Sequence, residues 1–168
     1  FYQVFVMGAQ LMAMQMSLGF ASMVDPANGI SVTVLAQYFT VLLTLVFLAS
    51  NGHLAMLEVL LESFRYLPAG SGAFGPEPSW TLVSAASWLF LSGLLLALPT
   101  VIALLVVNLA FGVMTRAAPQ LNVFSLGFPV SMVFGLFIVW ASMREFMPRF
   151  DTLSAQAFAL MRQLAGVP

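Results

Sequence analysis

Apolar residues fill both faces of most of this chain, and its few polar positions fall in clusters that divide it into segments. Phe1 to about Leu18 reads as a helix, apolar on most faces, that ends where Gly19 and the Asp25-Pro26 pair interrupt helical geometry. Pro26 also disfavours helix at Asp25. A second helix is expected from about Ser31 to Ala49, and roughly 19 residues at about 1.5 Å each give about 28 Å, close to a bilayer core. Ser50-Asn51-Gly52-His53 interrupts it. Asn-Gly is a turn signal, here either a turn or a tight kink between two halves of a hairpin. Helix resumes from Leu54 to Tyr66, where Glu58, Glu62 and Arg65 share a water-facing side and Glu62 lies within pairing reach of Arg65.

Residues 67–78 hold three Gly and three Pro, which predicts a loop. Ser79 is then the expected N-cap of a long helix from Trp80 to about Thr115. Pro99 falls inside that helix, removing a backbone donor and crowding the Leu95 carbonyl at a cost in water of about 3 kcal/mol. No charged side chain occurs from Pro78 to Thr115, and Arg116 alone separates that run from a second one, Ala117 to Met143. Residues 116–122 read as a short turn, with Arg116 at the negative end of the preceding helix dipole. The next helix starts at Asn122 or at Gly127-Phe128-Pro129 and continues to about Met143. Beyond it, residues 144–168 form an amphipathic helix: Phe146, Phe150, Leu153, Ala157, Leu160 and Leu164 make one stripe, and arginines and glutamines supply the other face. Small residues recur at helix-packing intervals in two sets, Ala85, Gly93 and Ala97, then Gly127, Ser131 and Gly135. They suit close helix approach, or reflect chance in an Ala-rich, Gly-rich chain.

Composition sharpens this picture into an all-α chain of the integral-membrane type. Of 168 residues, 61% are hydrophobic and 7% charged, with a mean hydropathy of +1.02, so the helices are built for lipid or for a very apolar assembly. The length suits one domain. A net charge of -1 with no basic stripe excludes nucleic acid as a partner. The absence of cysteine removes disulfides and thiolate sites. Phe1–Val24 has neither the charged flank nor the cleavage site of a signal peptide.

Candidate chemistry is sparse. His53 is the only histidine and has no carboxylate cluster near it in sequence, so a polar turn role fits it better than a metal site. No Gly-x-Ser-x-Gly elbow accompanies the serines, which leaves an intramembrane hydrolase without a nucleophile and base. Asp25 reads as a cap or turn residue, or as an ionisable group at the edge of apolar sequence. Neither an enzyme nor a cofactor site is expected. Five of the eleven Met (Met7, Met12, Met14, Met16 and Met23) fall in the first segment. Flexible, polarizable side chains beside backbone breakers suit either a movable seal or ordinary core packing.

Four blocks occur in order: Gln15-Met16 through Asp25-Pro26; Phe47-Leu48 with Asn51-Gly52-His53-Leu54; Ser63-Phe64 with Leu67-Pro68-Ala69-Gly70; and Arg116-Ala117-Ala118-Pro119-Gln120-Leu121-Asn122-Val123-Phe124 with Gly127-Phe128-Pro129. Together they resemble the FliR family of flagellar type III export-gate proteins, to which the SctT/SpaR proteins of virulence secretion are related. Asn51-Gly52-His53 and Gly127-Phe128-Pro129 look flagellar. One departure is Ala9-Gln10, where the family often has Gly-Glu. The similarity covers the later part of the family pattern, so further N-terminal helices are expected to be missing from this sequence.

The resemblance implies one copy assembling with FliP-type and FliQ-type subunits, and with an FlhB-type export switch protein, into a closed gate for unfolded substrates. The location implied is the bacterial inner membrane at the flagellar basal body. It also implies a plug, with Met16, Phe20 and Met23 sealing and Gly19, Asp25 and Pro26 shaping the backbone. Arg116, Pro119, Gln120, Asn122, Phe124, Gly127 and Pro129 are then family-motif residues at subunit packing surfaces. The alternative is a self-contained multi-span transporter, which needs intramembrane charges or paired broken helices; Pro99 and Asp25 are the residues that favour it.

Overall fold

A computed structural model describes residues 1–19, 33–67, 76–117 and 123–166, and every regular element among them is helical. In chain order these are α1 (Tyr2–Gln15), α2 (Val34–Ala49), α3 (Gly52–Tyr66), α4 (Pro76–Ala117), α5 (Val123–Ser142), a 3₁₀ turn (Met143–Glu145) and α6 (Phe146–Leu164). The side chains of residues 76–78, 117 and 123–126 lie outside the description.

α1 is the hub. Its buried residues, Val4, Phe5, Gly8, Ala9, Met12, Ala13 and Met16, follow the two adjoining i, i+4 rows of a helix. It packs chiefly on α4 and then on α2. The approach to α4 is a backbone contact. A Cβ added at Gly8 would lie 3.1 Å from the Gly93 carbonyl oxygen, and one added at Gly93 would lie 3.1 Å from the Val4 carbonyl oxygen. Two glycines facing each other let the helices touch where any side chain would part them. Gly93 and Ala97, both buried, are thus packing positions.

Around this crossing, aromatic rings bind three helices together. Phe1 meets Phe150 edge-on (centroids 5.5 Å apart), Phe5 meets Phe146 (5.6 Å), Tyr2 meets Phe47 (5.7 Å) and Phe39 meets Phe146 (6.1 Å). Such pairs add about 0.5–1.5 kcal/mol each beyond the area they bury. Leu35, Ala36, Phe39 and Leu43 bring α2 into the same core. Thr33 caps α2, its Oγ1 accepting from the Ala36 amide at 3.4 Å. α2 and α3 meet at a bend of 69°.

α5 and α6 run back along α4 as the second arm of a hairpin. The Ser131 hydroxyl donates to Asn108 Oδ1 (2.9 Å) on the C-terminal half of α4. The Trp88 indole donates to Gln156 Oε1 (2.8 Å) on the N-terminal half. Among the described residues two stretches are long and apolar enough to cross a membrane, Ser79–Arg116 and Gly127–Leu164, each of 38 residues, and the bent α2–α3 pair would make a third. Their outward faces are apolar: Leu94, Ile102, Leu105, Val106 and Leu109 on α4 and Val133, Phe134 and Phe137 on α5 are all exposed.

The α4 limit differs from expectation, and the α5 limit decides between two. α4 starts at Pro76, so Ser79 lies in its first turn and is not its cap; Pro suits a first helical position because the amide it lacks would be unpaired there anyway. α5 starts at Val123, in agreement with the first of the two expected starts, Asn122, so Pro129 lies inside the helix, where it can donate nothing to the Ser125 carbonyl. Among the described residues no ion pair joins Glu62 to Arg65.

Replacing Gly93 with Val should part α1 from α4 and lower stability by roughly 1–3 kcal/mol. Gly112→Ala, at a position with open space around it, should gain up to about 1 kcal/mol from helix propensity. Thermal melting of the detergent-extracted full-length protein distinguishes the two.

Candidate functional site

The sequence-derived candidates fall at three places: the end of α1, the α2–α3 bend, and the start of α5. At the first, the helix stops at Gln15 and closes with two backbone bonds. The Ser17 amide donates to the Met14 carbonyl (3.1 Å) and the Leu18 amide to the Ala13 carbonyl (3.0 Å). This is the Schellman arrangement, with Ser17 in the left-handed region at φ 64°. Glycine usually holds that position, since an L side chain there costs about 1 kcal/mol. Gly19 does not take this role: its φ is not positive, and a Cβ on it would meet Met14 at an ordinary 3.6 Å. Ser17 carries no sequence signal that would single it out, and the nearby glycine points to the wrong residue.

Met16 is fully buried. It fills the notch that Gly135 leaves in α5, where a Cβ would overlap Met16 Cγ and lie 2.8 Å from its Cε. Gly135 therefore belongs to this site through a close approach that only the tertiary structure discloses. Phe20, Met23, Asp25 and Pro26 lie outside the described residues.

At the second place, Asn51 is the left-handed residue (φ 58°), a conformation asparagine tolerates well. Its amide donates to Leu48 O (3.1 Å), and its carbonyl accepts from Leu54 (2.9 Å), so one residue ends α2 and starts α3. Gly52 is helical and buried; a Cβ there would collide with the Phe47 ring. The Asn-Gly pair makes a helix-to-helix kink, the second of the two geometries open to it. His53 sits in the first turn of α3 with Nδ1 buried and no hydrogen-bond partner among the described residues.

At the third place, Arg116 lies exposed in the last turn of α4. Phe124 is in the first turn of α5, Gly127 is buried and Pro129 exposed. Pro119, Gln120 and Asn122 lie outside the described residues. No cluster of three or more His, Cys, Asp or Glu suited to a metal occurs among the described residues.

These features define a class: an all-helical chain with candidate membrane spans, whose singled-out residues shape backbone and packing. Residues 1–157 match the model of the family described as bacterial export proteins, family 1. The chain is 37% identical to the flagellar biosynthetic protein FliR of Escherichia coli (strain K12) over 155 residues, covering 92% of this chain and 59% of that protein. It is 34% identical over 155 residues to FliR of Pectobacterium carotovorum subsp. carotovorum, with the same 92% and 59% coverage. It is 32% identical over 123 residues to the surface presentation of antigens protein SpaR of Shigella flexneri, covering 71% of this chain and 46% of that protein. The chain therefore belongs to the FliR family of bacterial export proteins, related to SpaR of virulence type III secretion.

Two substitutions test the local geometry. Ser17→Gly should relieve the left-handed strain and stabilise the fold by about 0.5–1 kcal/mol. Gly135→Leu should expel Met16 and cost roughly 1–3 kcal/mol. Chemical denaturation of the full-length protein in detergent reads both.

Proposed function

We propose that this chain is a non-enzymatic structural and gating subunit of the flagellar type III protein export channel. In this reading it nests among FliP-type and FliQ-type subunits in the bacterial inner membrane at the flagellar basal body. It contacts an FlhB-type switch protein and helps hold a pore closed until an unfolded substrate passes. The observation that carries the reading is the family match over residues 1–157 in a chain whose long helices keep apolar faces outward. Large contiguous apolar surface calls for lipid or partner subunits. The chain spans 59% of the length of the first two FliR relatives, and the whole assembly is part of the proposal.

The Met-rich stretch beginning at Met16 is the proposed plug, with Phe20 and Met23 as sealing residues and Gly19, Asp25 and Pro26 as backbone-shaping ones. The full burial of Met16 under Gly135 gives that stretch a fixed base, so Met16 serves as its foot as well as part of its seal. The motif around Arg116, Pro119, Gln120, Asn122, Phe124, Gly127 and Pro129 is proposed to pack against neighbouring subunits. A self-contained transporter is less well supported. It needs intramembrane charges or paired broken helices; 78–115 and 117–143 contain no charge, and the bent α2–α3 pair and Pro99 are its structural support.

Deleting residues 20–24 from the full-length protein should leave the assembled complex intact and make the membrane leak ions, with the current at least several-fold above wild type. Unchanged conductance in cells that assemble the deleted complex would reject the plug. A full-length protein that is stable and transports a solute without partners would reject the subunit role.

A further inference from the structure

Thr100 stands in the middle of α4 with 1% of its surface exposed. The other two buried polar residues among those described are satisfied, since Thr33 caps α2 and Ser131 bonds Asn108. Helical threonines elsewhere find a local partner: Thr40, Thr44, Thr115 and Thr152 each donate to a carbonyl three or four residues earlier. The Thr100 hydroxyl makes neither kind of bond and has no partner among the described residues. Buried polar groups are rarely left in that condition, because the lost hydration is not replaced.

The hydroxyl oxygen keeps a small accessible surface, and Thr100 lines a cavity of about 170 Å³ where α1, α2, α4, α5 and α6 meet. Met12 and Phe39, both buried, belong to its inner wall. Ser142, Glu145 and Arg149 line its more exposed side. Each of these keeps bonding capacity. The Ser142 hydroxyl donates to the Ile138 carbonyl (2.8 Å), which leaves its lone pairs to accept. Glu145 and Arg149 form no ion pair among the described residues, and their opposite charges cancel, so the cavity suits a neutral guest better than a lone ion. Pro99, on the same wall as Thr100, gives the Leu95 carbonyl no helical donor. Ordered water is one of the groups that re-satisfy a helix at such a proline.

We propose that this cavity is a binding site for a small cluster of ordered water molecules, which joins the Thr100 hydroxyl to Ser142, Glu145 and Arg149. At about 30 Å³ each, several waters fit, and a polar cavity of this size with two or more bonding partners is the kind that holds them. An apolar occupant, such as a detergent tail or a neighbour's aliphatic side chain, would leave Thr100 unpaired. One turn along α1 and α4 from the dry Gly8–Gly93 contact, the helices are thus held together through water. The site makes no use of residues 16–26 and does not depend on the chain being a channel subunit.

The test uses the full-length protein in its native membrane complex. Brief X-ray radiolysis turns bound water into hydroxyl radicals where it sits, and mass spectrometry reads the oxidation of adjacent side chains. Met12 should be oxidised several-fold faster than Met16, and Phe39 faster than Phe5; all four are buried, but Met16 and Phe5 do not line the cavity. Radicals made in bulk solution should oxidise the exposed Met14 and spare Met12. Thr100→Val, close in shape but without the hydroxyl, should slow Met12 oxidation and lower the melting midpoint of the complex, while Thr100→Ser should keep the fast oxidation. Val139→Phe, which fills the cavity, should abolish it and carries the test if Thr100→Val does not assemble. Met12 oxidised no faster than Met16 would overturn the site, as would equal attack on Met12 by radicals from bulk. A Thr100→Val complex that melts at or above the wild-type midpoint would also overturn it, because a dry cavity gains from losing an unpaired hydroxyl.

Discussion

The rest of the structure depends on the contact of two backbones at Gly8 and Gly93. In an environment where helix surfaces and surroundings are equally apolar, burial alone does little to hold helices together, and close packing has to do it. α1 meets that demand by placing Gly8, Ala9 and Ala13 on its inner rows. The partner helix answers with Gly93 and Ala97. Once the axes are this close, Met12 and Met16 reach across to the surrounding helices, and the phenylalanines of α2 and α6 close around the near end. The core is therefore organised around one slim helix, with larger residues filling the space it leaves.

The outer layer follows the opposite logic. α4, α5 and much of α2 and α3 present leucine, valine and phenylalanine outward, so the fold is finished by whatever surrounds it. Between Pro78 and Met143 the one charged side chain is Arg116, and the other ten charges lie before or after that stretch.

Methionine at the end of α1 unites the two readings first open to it. Met16 is ordinary core, fully enclosed and seated on a glycine of α5, and it is also the residue from which the proposed plug departs. A flexible thioether suits that position because it fills an irregular notch without demanding one rotamer. The strained Ser17 that follows turns the chain away from the helix at a cost of about 1 kcal/mol.

Much of this was legible in the sequence, because hydropathy and chain stiffness are local properties. The uncharged runs on either side of Arg116 marked two apolar helices joined by a short turn, the Asn51-Gly52 pair marked a turn or kink, and the four ordered blocks pointed to the export family. Boundaries and site partners were not legible. Pro76 starts a helix that Gly and Pro content alone would postpone, and Ser17, not a glycine, takes the left-handed position that ends α1. Gly135 under Met16, and Thr100 on a cavity shared with Met12 and Arg149, depend on which residues more than a hundred positions apart along the chain, or on different helices, are brought within reach. Composition determines that these helices form and shun water; only their packing decides which glycine receives which side chain, because steric fit between distant segments leaves no trace in local sequence.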